Sequence, residues 1–482
     1  MRNRPMKNTF LIMFLAFLSA CSARPERFEE GTAEEALNNE TAQAEVVEEE
    51  LPELEPLKLL STEPQVSLIG TMGMTQKFKV GDITVIHRVT PANQVVAARV
   101  YIDGGAKNLT PETQGIERLA LDVSASGGTL NIPRDEFTSK LNSMGSEVFS
   151  FADRDFSGYG MKSVVENFET TWELMAEAAF YPAFPQEEID VRRQQQLAEI
   201  ASITEDPDSR VQYEASRLFF KGHSYFNLQI GVAENLQRVS SRKLAHYHRG
   251  LLKPERMLIV VVGNVPTSKL TDMIKSSFAR LPSTGAEPVQ PEAFTSEAGV
   301  EIVDQDLPTN YVLGYFEAPK PGTPQYPAMV VTMEFLRDRL FEEVRTKRNL
   351  TYAVSAGIGA NRSNYGYLYV TATDPVTTMG VIFDQIAEVK LMQIPKQELD
   401  QVVNVFLTEH YMNLETNGGQ ASMLARAELI SGDWKTAEAF LAEVRAVTPE
   451  DVQMVAQRYL TNFRFGVVGK ASALNAKTFQ PR

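Results

Sequence analysis

Ser240–Gly263 reads SSRKLAHYHRGLLKPERMLIVVVG, and Thr448–Gly469 reads TPEDVQMVAQRYLTNFRFGVVG. The two stretches share one plan. A hydroxyl residue suited to capping a helix comes first, and Pro449 suits a first helical turn. A helical pattern follows, then an arginine (Arg256, Arg464) and an apolar run with the character of a strand. The likeness extends upstream. Pro91-Ala92-Asn93-Gln94 leads into VVAARVYI at 95–102, and Pro308-Thr309-Asn310-Tyr311-Val312 leads into LGYF at 313–316. The lead-ins lie 217 residues apart and the return segments 208. Chance likeness would not keep this order, so a tandem duplication is the economical reading. Leu281–Glu297, LPSTGAEPVQPEAFTSE, is rich in Pro, Ser and Gly and reads as the linker between copies.

Each copy mixes strands and helices. Glu147–Ala152 and Asp155–Met161 read as a hairpin around Asp153-Arg154. Helical patterns cover 164–180 and 186–203 in the first copy, with Pro185 opening the second of these. In the second copy they cover 326–345, 376–391, 396–430 and 436–447, and Gly418-Gly419 reads as a helix interruption. Strands leading into helix pairs, then a return strand, predict an α+β fold. It comprises two tandem homologous domains, each a mostly antiparallel sheet packed with helices. The predicted domains are 66–280 and 298–475, joined by the linker 281–297.

The 482 residues are too many for one ordinary core. A formal net charge of −15 argues against a nucleic-acid partner, because no basic field collects phosphates. The single cysteine excludes intramolecular disulfides, cysteine-based zinc ribbons and iron–sulfur clusters. That cysteine, Cys21, follows a signal-like start. Arg2, Arg4 and Lys7 precede the apolar FLIMFLAFL at 10–18, which is too short to span a bilayer. Leu18-Ser19-Ala20-Cys21 resembles a bacterial lipobox. Residues 1–20 are therefore expected to be a signal peptide, with lipid on Cys21 as the membrane anchor. Residues 21–65 are expected to form an acidic, disordered tether, since 22–55 holds twelve Glu against Arg24 and Arg27. The expected localisation is a bacterial cell envelope, lipid-anchored, on the outer membrane facing the periplasm.

The five histidines, His87, His223, His246, His248 and His410, include no pair spaced to share a helical face. No nucleophile elbow, P-loop or dinucleotide fingerprint is present. Spacing alone gives no complete catalytic set.

Five segments, taken together, resemble the insulinase/pitrilysin family of zinc peptidases. They are GIERLALDVSASGGT (115–129), GSEVFSFADRDFSGYG (145–160), FPQEEIDVRRQQQLAEI (184–200), GHSYFNLQIGVAENLQRVS (222–240) and LFEEVRTKRNLTYAVSAG (340–357). The likeness runs from about Lys77 to Lys470. That family is built on an inverted zinc motif, His-x-x-Glu-His, with a downstream glutamate as a further ligand. The resemblance places the first histidine at Arg118, the general base at Leu121 and the second histidine at Asp122; only the downstream acid is kept, as Glu199. A zinc site needs about three protein ligands, so this chain is expected to bind no metal. Arg118 and Asp122, four apart, are expected to pair on the helix face.

The resemblance also implies roles for Arg345 and Tyr352, which match a family Arg and Tyr seven apart. Both can donate hydrogen bonds to a carbonyl gaining negative charge. The bland alternative pairs Arg345 with Glu342 and starts a strand at Tyr352. Some family members are two-chain enzymes in which one chain carries the zinc and the other the Arg/Tyr pair. The resemblance therefore implies a chain inactive alone, serving a zinc-bearing homologous subunit that cuts peptide or unfolded protein. Zinc is then expected on that partner. A catalytically silent scaffold of the envelope is the rival.

Overall fold

The computed structural model describes residues 51–480. The signal segment and Cys21 lie outside the described residues, as does most of the proposed tether. Among the described residues, twelve strands form two sheets. The first holds β1 (Val66–Met72), β2 (Thr75–Val80), β3 (Ile83–Val89), β4 (Val95–Ile102), β5 (Glu147–Ala152), β6 (Ser157–Val164) and β7 (Met257–Gly263). The second holds β8 (Gly299–Asp304), β9 (Asn310–Glu317), β10 (Val354–Ile358), β11 (Tyr365–Ala372) and β12 (Arg464–Gly469).

The duplication is plain in the pairing. The first sheet runs β1-β2-β3-β7-β4-β6-β5, and the second, taken from its far edge, runs β8-β12-β9-β11-β10. Without the β1–β2 hairpin the two orders coincide. In both, the first and last strands pair in parallel and the other pairings are antiparallel. Parallel pairing requires a long crossover, which the intervening helices supply. The caps foreseen at Ser240 and Thr448 are present. Ser240 Oγ accepts from the backbone of Lys243, and Thr448 closes a capping box with Asp451.

β7 and β12 are buried along their whole length, so each sheet needs cover on both faces. Met257, Ile259 and Val261 face their own half's core, while Leu258, Val260 and Val262 face the other way. That second face is covered by a helix of the other half, Asn417–Arg426, through Ala421, Leu424 and Ala425. The equivalent helix of the first half, Pro207–Phe219, covers the second sheet through Val211, Ala215 and Phe219 against Leu313, Tyr315 and Val468. The halves thus exchange equivalent helices.

Ionic contacts seal the junction. Asp103 is buried between Lys107 of its own half and Arg362 of the other, 3.1 Å away. Asp155 accepts from Tyr225 and, at 2.9 Å, from the backbone of Arg362. Arg426 reaches Asp153 at 3.3 Å. Buried ions require such pairing, because an unpaired charge there carries a large desolvation cost.

Three expectations change. Residues 51–65, assigned to the tether, lie against the first half. The carbonyls of Leu51, Pro52 and Glu55 accept from Arg242, His246 and Arg249 on one helix, Ser241–Leu251. Leu57 and Leu59 pack on the core, and Leu60 exchanges two hydrogen bonds with Arg280. The predicted helix 396–430 is two helices, Lys396–Asn413 and Asn417–Arg426. Thr416 caps the second by accepting from Gly419, whose missing side chain lets the carbonyl of Asn413 approach. Gly418-Gly419 therefore starts a helix. Finally, the second domain extends past 475, since Phe479 is buried in its core.

Candidate functional site

Helix Ile116–Ser126 follows β4 and presents Arg118 and Asp122 one turn apart. Helix Gln186–Glu205 brings Glu199 to the same place. The Arg118 guanidinium grips Glu199 with two parallel hydrogen bonds, 2.8 and 3.0 Å, and lies 3.6 Å from Asp122. The expected Arg118–Asp122 pair is thus present, but the stronger contact goes to Glu199. Asp122 also accepts from Ser150 at 2.6 Å. Burial pushes the Asp122 carboxyl up, against the lowering influence of Ser150 and Arg118. Leu121 is 1% exposed and belongs to the apolar core.

Arg118, Asp122 and Glu199 meet here while Leu121 turns into the core, and their chemistry does not fit a zinc ion. A cation already sits between the two carboxylates, and Leu121 can neither bind metal nor accept a proton. Among the described residues, no three His, Cys, Asp or Glu side chains form a group that could hold a metal. Of the histidines, His248 is buried with Nε2 2.6 Å from Tyr159, and burial holds it down to about 3.

The Arg345/Tyr352 segment is built differently. Helix Tyr326–Leu340 runs into one π-helical turn, Phe341–Thr346, which carries Arg345. Single π turns inside helices occur often at functional sites. Arg345 is exposed and stacks on the Phe341 ring at 4.8 Å. The alternative partner, Glu342, lies 3.9 Å from Lys347 instead. Tyr352 stands two residues before β10 and is 85% exposed. Its phenol is therefore open to an acceptor from outside the chain.

The duplication reveals residues that the sequence reading missed. Glu334 and Asp338 follow Arg118 and Asp122 by 216 residues, on the equivalent helix after β9. Glu409 follows Glu199 by 210, on the equivalent long helix, Lys396–Asn413. The repeat offset is the signal that could have found them. Glu334 pairs with Arg337 at 2.5 Å, yet burial, with Glu409 and Asp338 nearby, pushes its carboxyl up to about 7. Its folded pKa lies above the ordinary 4.5. Stability is therefore lost as pH rises from 4.5 through 7, and the whole penalty is present above that window. Glu334→Gln removes the titration. It should raise unfolding free energy at pH 8.5 by about 1–3 kcal/mol, with little change at pH 5, in urea titrations at the two pH values.

Two family profiles match this chain. Residues 84–229 match "Insulinase (Peptidase family M16)", and residues 238–406 match "Peptidase M16 inactive domain". Together they take in well over half of the sequence. The chain belongs to the insulinase family, peptidase M16. Within M16 it is similar to the "Uncharacterized zinc protease YmxG" of Bacillus subtilis, 24% identical over 390 residues, covering 79% of this chain and 94% of the relative. It is also similar to the "Probable mitochondrial-processing peptidase subunit alpha" of Schizosaccharomyces pombe, 20% identical over 399 residues, covering 75% and 77%. Among solved structures, the M16 inactive domain from Pseudomonas fluorescens superposes with a TM-score of 0.75 at 17% identity, covering 82% of this chain and 98% of that one. At that identity the superposition shows the M16 fold alone.

Proposed function

We propose that this chain is the non-zinc subunit of a heterodimeric, membrane-anchored metallopeptidase. Arg345 and Tyr352 would serve a zinc site on a homologous partner that hydrolyses peptide or unfolded protein. The observation that carries this reading is the contrast between the two halves. The motif face of the first half is closed by the Arg118–Glu199 fork, whereas Arg345 and Tyr352 of the second are exposed at the family spacing. A guanidinium and a phenol that point to solvent can each donate to a carbonyl oxygen as it gains charge. Within the chain, Tyr352 gains nothing from that exposure. Similarity to a processing-peptidase subunit agrees with a multi-chain enzyme.

The test is co-expression with an M16 homologue that has an intact His-x-x-Glu-His motif. A stable complex is expected, whose cleavage of an internally quenched peptide needs both chains. Alone, this chain should hold no stoichiometric zinc and cut nothing. One tightly bound zinc per isolated chain, with chelator-sensitive cleavage, would overturn the reading. The rival, a non-cutting envelope scaffold, draws on the same closed motif face; an intact complex without cleavage would favour it.

Anchoring through Cys21 in a bacterial envelope membrane is part of the proposal. One acyl chain holds weakly and several hold firmly. Cys21→Ala should release the body into the soluble fraction or leave an unprocessed precursor, read by fractionation and mass. Unchanged retention and mass would reject the anchor.

A further inference from the structure

The segment between Arg345 and Tyr352 carries two more cations, Lys347 and Arg348, and both remain exposed while pairing with one buried carboxylate. Glu343, on the π turn, is 8% exposed. Its Oε1 accepts from Lys347 Nζ at 2.6 Å, and its Oε2 accepts from Arg348 Nη1 at 2.6 Å. The same Arg348 nitrogen donates to the Glu343 carbonyl at 2.8 Å. The hydrogen bonds from Lys347 and Arg348 hold the Glu343 carboxyl down at about 2, so it stays charged at any physiological pH.

The backbone follows this clamp. Lys347, Asn349 and Leu350 donate back to the carbonyls of Glu342, Arg345 and Val344, at 2.9, 3.0 and 3.0 Å. Asn349 takes a φ of 51°, a left-handed turn that Asn tolerates better than most residues. Beyond it, the buried Thr351 brackets Tyr352 by donating to the carbonyl of Ala353 at 2.8 Å and accepting from its N–H at 3.0 Å. Arg345 and Tyr352 thus stand at the two ends of a short span pinned at both sides.

We propose that Glu343 is a positioning residue: by clamping Lys347 and Arg348 it fixes the turn that presents Arg345 and Tyr352 together and pairs off two cations that would otherwise compete for the substrate. This rests on the reading of the Arg345/Tyr352 pair given above. It follows from the separation of roles along the turn. Of the four side chains Glu343, Arg345, Lys347 and Arg348, three are engaged with one another and Arg345 is left outward. A misplacement of about 1 Å in a catalytic group can cost on the order of 10²-fold in rate, so a clamp of this kind has kinetic consequences.

The experiment uses the full chain in complex with its zinc-bearing homologue and two variants, Glu343→Gln and the double change Lys347→Ala/Arg348→Ala. The second cuts the clamp from its exposed side and spares the buried position. Two readouts are taken: trypsin cleavage of Glu343→Gln between Arg345 and Arg348, and kcat and KM of both variants on the quenched peptide. Trypsin should cut Glu343→Gln about tenfold faster than wild type. Both variants should lose about 10–100-fold in kcat with KM changed less than about threefold, because the loss falls on the transition state. Unchanged trypsin cleavage rejects the clamp. Faster cleavage with wild-type kcat, while Tyr352→Phe still slows turnover, rejects the positioning role and leaves the pair's role standing. Silence of Tyr352→Phe as well removes the reading of the pair, and this proposal with it.

Discussion

Tyr352→Phe should lower turnover of the two-chain enzyme by about 10²–10³, the scale for deleting one oxyanion donor. The change removes a single hydroxyl from a side chain that is 85% exposed. It leaves β10 and the core untouched, so folding and partner binding should be preserved. Arg345→Ala should act on KM as well as kcat, because a charged donor also holds the ground-state substrate. The loss of its stacking on Phe341 is a small conformational effect, of the order of 0.5–1 kcal/mol for an exposed cation over a ring. Steady-state kinetics on the intact complex separate the two variants. Wild-type rates in both would leave the scaffold reading as the better one.

Gly466→Ala should destabilise the chain by about 1–3 kcal/mol, the range for overpacking a tight core. A Cβ at Gly466 would stand 2.6 Å from the backbone nitrogen of Ala215 and 3.0 Å from its Cα. Ala215 belongs to the exchanged helix Pro207–Phe219, so the methyl group would wedge the two halves apart where backbone meets backbone. Gly380→Ala is the control. Gly380 lies within helix Pro375–Leu391, and nothing stands within 4 Å of a Cβ built there. It should gain about 0.5–1 kcal/mol from helix propensity. Denaturant melts of both variants test the pair; equal stability of Gly466→Ala and wild type would mean that the junction is looser than its geometry.

Much of this architecture is legible in the sequence because duplication writes each signal twice. The capped helix, the arginine and the apolar return strand occur at Ser240 and again at Thr448, and both copies fold as the pattern demands. The exchange of helices is not legible. Pro207–Phe219 is an ordinary amphipathic helix in its spacing, and nothing local says whose sheet it will cover. The interruption read at Gly418-Gly419 falls just after the real break at Leu414–Thr416, where Thr416 ahead of two glycines is the capping signal. Residues 51–65 hide their docking behind acidic neighbours; the decisive groups, Leu57 and Leu59 and three backbone carbonyls, have no periodic signature. At the motif, helical spacing points to Asp122 as the partner of Arg118. The bidentate contact with Glu199 depends on a residue 81 positions away.

The exchanged helices also set a timetable for biosynthesis. When the first sheet is completed at Gly263, its face of Ile86, Tyr101, Leu258, Val260 and Val262 has no cover. The covering residues begin at Asn417, roughly 150 residues later, which at about 5–20 residues per second is a wait of about 8–30 s. Through that interval the leading half is an unfinished object, apolar on one side and adhesive to other nascent chains. A polypeptide made in this way cannot complete its tertiary packing until nearly all of it exists. A fragment ending in the 281–297 linker would retain the bare apolar face for good.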